Sequence, residues 1–145
     1  MCYEIEWKSP NGVIKRHFGQ VTGSEIMAAV TTTEGDPRFD SLRYVINDFS
    51  DCTELKVSPR EIAEIAAIDK AAAHSNPNIR IAFVATLQDV VAAANAYAND
   101  PFTTYATRVF SSTDEAKSWL GLRPAQSSYV CLGSGAVSQS VASTG

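Results

Sequence analysis

The chain is short of the residues that build metal sites and disulfide frameworks: it has three cysteines and two histidines. Cys2, Cys52 and Cys131 are widely separated, odd in number and outside any CxxC spacing, which excludes a zinc knuckle and a disulfide scaffold. Sparse cysteine suits a reducing compartment. No apolar run approaches the roughly 20 residues of a membrane-spanning helix. The opening MCYEIEWKSP carries acids where a secretory signal has a basic segment and then an apolar one, so a cytoplasmic protein is expected. Lys and Arg are not clustered. They number 12 against 16 acids, for a net charge of −4, so the basic face that nucleic acid requires is missing. There is no P-loop, no GxGxxG and no GxSxG. No cofactor and no catalytic residue is therefore assigned, and His17 and His74 lack the partners a metal would need. Charge disappears altogether after Arg123. The Ser/Gly/Ala-rich segment 123–145 is expected to be a flexible tail, with Ser128–Leu132 as a candidate edge strand.

What is present is one domain's worth of patterned chain, with 145 residues of which 45% are hydrophobic and 19% charged. YEIEW alternates with a period of two, SPNG (Ser9–Gly12) has turn chemistry, and VIKRHF (Val13–Phe18) follows, so the chain opens with a hairpin. LRYVIND (Leu42–Asp48), IRIAFVA (Ile79–Ala85) and TYATRVF (Thr104–Phe110) read as three further strands, the second apolar enough to be covered on both faces. Four helix starts share a hydroxyl residue followed three positions later by an acid: Thr22 with Glu25, Ser58 with Glu61, Thr86 with Asp89, and Ser112 with Glu115. In such a box the hydroxyl accepts an orphan N–H and the acid reaches back to the cap's own N–H. Pro59 suits a first helical position and Gly121 a C-terminal stop. Apolar stripes follow, among them Ile62, Ile65, Ile68 and Ala72 in the second helix and Leu87, Val90, Val91, Ala94 and Ala98 in the third. Strands alternating with helices after a hairpin predict an α/β fold, with a five-stranded mixed, mainly parallel sheet and four helices.

This order of elements, with the phrases VIKRHFGQVTGSEI, LRYVINDFSD, NIRIAFVA and VFSSTDEAKSWL, resembles the SpoIIAA-like family. Its members are relatives of STAS domains, found in sulfate transporters and anti-sigma factor antagonists. The resemblance covers roughly residues 1–122. It implies a STAS/SpoIIAA-like fold and a regulatory module without enzymatic activity. In anti-sigma factor antagonists a serine near the start of the helix after the third strand accepts phosphate, usually within Asp-Ser-Ser-Gly. Here that tetrapeptide is absent, Ser58 holds the corresponding place and Ser50 follows the strand. The SpoIIAA-like branch also implies hydrophobic ligands or membrane association.

The residues themselves point to two regions. Asp48, Ser50, Asp51 and Ser58 are the candidate strand-end rim, because ligands of open α/β sheets gather outside the carboxyl ends of strands, and a phospho-acceptor among them is what the resemblance implies. Asp48 is also suited to ordering its loop by accepting backbone N–H bonds. Ile62, Ile65 and Asp69 form the candidate interaction helix. Asp69 falls inside that helix's apolar stripe, where a carboxylate needs a partner. Arg43 and Arg80 are the arginines considered for it. Cys52 has no base near it in sequence that would activate a thiol. Trp7, Phe102, Tyr105 and Trp119 are core or edge aromatics, or the lining of a pocket or dimer face. Two functions lead, with a hydrolase of unrecognised type as a third reading that needs a base within hydrogen-bond reach of Ser50, Ser58 or Cys52. One is a non-enzymatic cytoplasmic regulatory or protein-interaction module whose partner is another protein or a second copy of the chain. The other is a carrier or sensor for an apolar or amphipathic small molecule.

Overall fold

The computed structural model describes residues 3–122. The predicted tail, its Ser128–Leu132 strand, Cys2 and Cys131 lie outside the described residues. Five strands, β1 (Tyr3–Lys8), β2 (Gly12–Thr22), β3 (Tyr44–Lys56), β4 (Arg80–Val84) and β5 (Ala106–Phe110), make one sheet in the order of the chain. β1 and β2 are antiparallel, and every other neighbouring pair is parallel. The helices are α1 (Gly23–Glu34), α2 (Pro59–Ala72), α3 (Gln88–Ala98) and α4 (Thr113–Trp119), with a 3-10 turn at Pro37–Ser41. This is the predicted five-stranded mixed sheet with four helices.

The strand order decides where the helices go. Parallel crossovers are right-handed, and all three here step in the same direction, so α1, α2 and α3 must lie on one face. Their side chains Val30, Ile65, Ala66 and Tyr97 pack on Val13, Val45 and Ile81 of the sheet. α4 follows the last strand, is not a crossover, and covers the other face. Ala116 meets Ile14, Ile46, Ala82 and Val84 there, with Trp119 and Leu120 alongside. β4 is thus buried on both faces, as its apolar run predicts. Arg80 alternates with Ile81 and so faces α4; its guanidinium stacks 4.2 Å from the Trp119 ring and donates to Trp119 O at 2.6 Å.

Three of the four predicted caps are present. Thr22 and Ser58 form complete boxes with Glu25 and Glu61. Ser112 accepts from Glu115 N, and the Glu115 carboxylate bonds chiefly Ser111. Thr86 does not cap. α3 starts one residue later, with Leu87 at the cap position and no side-chain bond. Gly121 ends α4 at φ +75°, its N–H donating to Ser118 O while Leu122 N–H donates to Lys117 O. That pair of bonds is the Schellman arrangement, which needs a left-handed residue best supplied by glycine.

The strand predicted to stop at Asp48 continues to Lys56. β4 ends level with Asp48, where Val84 is its register partner. Beyond that point β3 pairs with β2 alone, as a two-stranded extension. The register jumps twice, from Arg16/Asp48 to Phe18/Asp51 and from Gly19/Cys52 to Gln20/Glu54. Each jump leaves one extra residue on β3, a bulge.

Candidate functional site

Asp48, Ser50 and Asp51 belong to the first of these bulges, inside β3. A bulge frees an N–H from the ladder, and Asp48 takes it up: its Oδ1 accepts from Ser50 N at 2.9 Å and from Ser50 Oγ at 2.6 Å. Ser50 and Asp51 are exposed. Cys52 is buried on the same strand, its Sγ donating to Glu54 O at 3.4 Å. Burial pushes its thiol pKa up, away from the reactive thiolate. Ser58 is a different kind of position. It is exposed at the start of α2, accepting from Glu61 N at 3.1 Å while Glu61 Oε1 accepts from Ser58 N at 2.9 Å. The structure therefore does not gather the four rim residues: three are a bulge and one is a helix cap.

Next to Ser58 the surface is concave. Leu55 of β3 and Val57 just after it, Pro59 and Ile62 of α2, and Asp89, Ala92, Ala93 and Ala96 of α3 line an open groove of about 370 Å³. Ile62 is half-buried here, one turn before the buried Ile65. The small residues of α3 create the groove by bringing no bulk to the contact with α2.

Beneath the groove, between the sheet and the three helices, lies the second feature. On β2, Val13, Lys15 and His17 all point under the helices, and all are buried, at 0%, 6% and 2% exposure. Lys15 faces a cavity of about 50 Å³, which Asn47, Glu34, Asp69 and Tyr97 also line. Asp69 is buried and accepts a short hydrogen bond from the Tyr97 hydroxyl. The considered arginine partners are elsewhere. Arg43 donates to its neighbour's carbonyl, Leu42 O, and Arg80 is on the opposite face of the sheet. Tyr97 is held in turn by an aromatic row across the sheet. His17 stacks on Phe49 at 4.6 Å, Phe49 lies 6.3 Å from Phe83, and Phe83 meets Tyr97 edge-on at 5.6 Å.

This cluster has unusual electrostatics. Burial, helped by a hydrogen bond and charge from Asp69, pushes the Glu34 carboxyl up to about 9, so at neutral pH it is a protonated donor. Burial and the charge of Asp69 raise Tyr97 well above the usual phenol range. Burial pulls the Lys15 ammonium down, against the opposing fields of Asp69 and Glu34. His17 is brought down to about 4 by burial and by Lys15, and its Nδ1 has no partner. Lys15, Asn47, Glu34 and Tyr97 were not candidates from sequence. Asp69 was the only signal, as a carboxylate out of place in an apolar stripe. Among the described residues no group of His, Cys, Asp and Glu could hold a metal ion, and no helix is long and apolar enough to cross a membrane.

No family model and no curated protein sequence matches the chain. Solved structures do. The anti-sigma factor antagonist SpoIIAA in its unphosphorylated form superposes with a TM-score of 0.52 at 11% identity, over 82% of this chain and 97% of that one. The Bacillus cell fate determinant SpoIIAA in the phosphorylated form superposes with a TM-score of 0.52 at 12% identity, over 81% and 98%. An uncharacterized DUF3478-family protein of SpoIIAA-like fold from Shewanella loihica PV-4 matches at 0.46 and 14% identity, over 81% and 91%. The chain has the SpoIIAA-like fold.

Proposed function

We propose that the chain is a non-enzymatic regulatory module of the cytoplasm that works by binding a protein partner across the α2–α3 groove. The observation that carries this reading is the open, mostly apolar groove of about 370 Å³, with Asp89 its one charged lining residue, beside the exposed Ser58 cap. Exposed apolar concavities on small domains mark interaction surfaces. The fold supports the reading, because the two SpoIIAA structures are of an anti-sigma factor antagonist and a cell fate determinant. One of them is phosphorylated. A phosphate on Ser58 would sit at the positive end of the α2 dipole and add charge at the groove's rim. That gives the contact a chemical switch.

The test starts with the full chain as bait in its own host. A captured protein counts only if, purified, it re-forms the complex with the purified chain. Ala96→Glu, on an exposed position of α3, should then weaken that complex at least tenfold while leaving the thermal midpoint unchanged. Self-association that Ala96→Glu abolishes would assign the groove to a second copy. A reconstituted complex indifferent to Ala96→Glu would place the contact elsewhere and end this reading.

The interior cavity favours a second reading, a sensor or carrier of a small molecule. Drug-sized ligands fill roughly 300–1,000 Å³, so a cavity of about 50 Å³ restricts this reading to something much smaller.

A further inference from the structure

Two polar side chains in the cavity lack partners. Lys15 and Asn47 are register partners on the parallel strands β2 and β3, so they stand side by side on the face under the helices. They are 6% and 8% exposed and both line the cavity. Among the described residues, no side-chain hydrogen bond or ion pair closes on either of them. Buried polar groups are normally satisfied, and an unsatisfied ammonium in a core is costly. Asp69 acts on Lys15 only through its field; its Oδ2 accepts from Tyr97 and its carboxyl also bonds Glu34. Two donors left open toward one space call for an acceptor from outside. Glu34, half-buried at the same cavity, is bonded to Asp69 and offers the head group no further donor.

The neighbouring space is of opposite character. A second lobe of about 50 Å³ shares the walls Phe49, Ile65, Phe83 and Tyr97 with the first. It continues between Val90 and Ala93 of α3 and Leu55 of β3 with no charged residue in its lining. A donor pair at one end and an apolar lobe at the other describe an amphipathic ligand with an acceptor head. The small volumes set its length.

We propose that this pocket binds a short-chain monocarboxylate, with the carboxylate between Lys15 Nζ and the Asn47 amide and the alkyl tail in the lobe under α3. Two oxygens of one carboxylate match two adjacent donors, and a charge-assisted bond to a buried ammonium is stronger than a neutral one. The tail's burial supplies the remaining affinity, at about 0.8 kcal/mol per methylene. The lobe adjoins the surface groove, sharing Leu55, Val57, Ile62 and Ala93 with it; the assignment rests on the small-molecule reading of the cavity, and its experiment involves no protein partner.

The experiment is calorimetric titration of the full chain at neutral pH with hexanoate, hexanol and hexylamine in turn. Hexanoate should bind saturably at one site per chain, and more tightly than acetate. Lys15→Met keeps the length of the side chain and removes the donor. It should lower hexanoate affinity at least tenfold and leave hexanol unchanged. Should Lys15→Met fail to fold, Asn47→Leu tests the same head group, and Ala93→Leu tests the tail by narrowing the lobe, reducing hexanoate binding and sparing acetate. Failure of the wild-type chain to take up hexanoate would overturn the proposal. So would unchanged hexanoate affinity in Lys15→Met, or binding of hexylamine in preference to hexanoate, which would make Asp69 the head-group site.

Discussion

At the scale of single residues, the most consequential bond joins Tyr97 to Asp69 across two helices. A buried carboxylate stripped of a donor keeps its full desolvation cost, and bonds to charged groups contribute about 1.5–3 kcal/mol. Tyr97→Phe should therefore destabilise the fold by about 1.5–3 kcal/mol, read as a lower urea midpoint with an unchanged slope. Tyr105→Phe is the control. Its hydroxyl donates to the neutral Asn76 carbonyl at 2.9 Å, so it should cost only about 0.5–1.5 kcal/mol. Equal losses in the two variants would mean that Asp69 is not held as a charge by Tyr97. Of this cluster the sequence showed only Asp69, because a carboxylate breaks a helix's 3.6-residue pattern visibly. Lys15 left no such mark. In VIKRHF the apolar residues Val13, Ile14 and Phe18 fall on both faces, so alternation does not say which face is buried. The answer is that positions 13, 14, 15 and 17 are all buried and Phe18 is the exposed one.

At the scale of elements, helix starts were legible because capping is local chemistry. Thr22, Ser58 and Ser112 accept the N–H three residues on, as their spacing predicts. Thr86 carries the same spacing yet lies one residue too early, since α3 begins after Leu87. The two kinds of site separate in stability. Ser58→Ala should cost about 1 kcal/mol through the lost cap, whereas Thr86→Ala should cost nothing measurable by chemical denaturation. A loss at Thr86 matching that at Ser58 would show that α3 starts earlier in solution. The length of β3 was not legible, for a non-local reason. Phe49–Lys56 is a strand only because β2 runs beside it, and its two bulges interrupt the alternation that marks strands in sequence. Two acids and a hydroxyl placed after an apolar run look like a loop. Here Asp48 and Ser50 are a repair of the ladder, and the helix cap at Ser58 is the surface position they were grouped with.

At the scale of the whole molecule, two groups beneath the helices give the fold an asymmetric response to pH. His17, brought down to about 4 from an unfolded value of 6.5, is kept neutral in the folded chain. The unfolded chain takes the proton first, so this group lowers stability as pH falls from 6.5 to 4, by at most about 3 kcal/mol. Glu34 runs the other way. Its folded pKa of about 9 against 4.5 unfolded means its contribution is complete below 4.5 and is lost as pH rises toward 9. The two slopes oppose each other between 4.5 and 6.5, and above 6.5 His17 no longer contributes. Stability should thus be nearly level on the acid side of neutrality and fall on the alkaline side. Lys15, with its pKa pulled down by burial, acts in the opposite sense at alkaline pH, so the carboxyl is isolated by difference. Glu34→Gln keeps the shape and removes the titration. The variant's stability minus that of the wild type, from denaturation curves across pH 4.5–9, should rise steadily with pH. A flat difference would mean that Glu34 ionises normally and faces water.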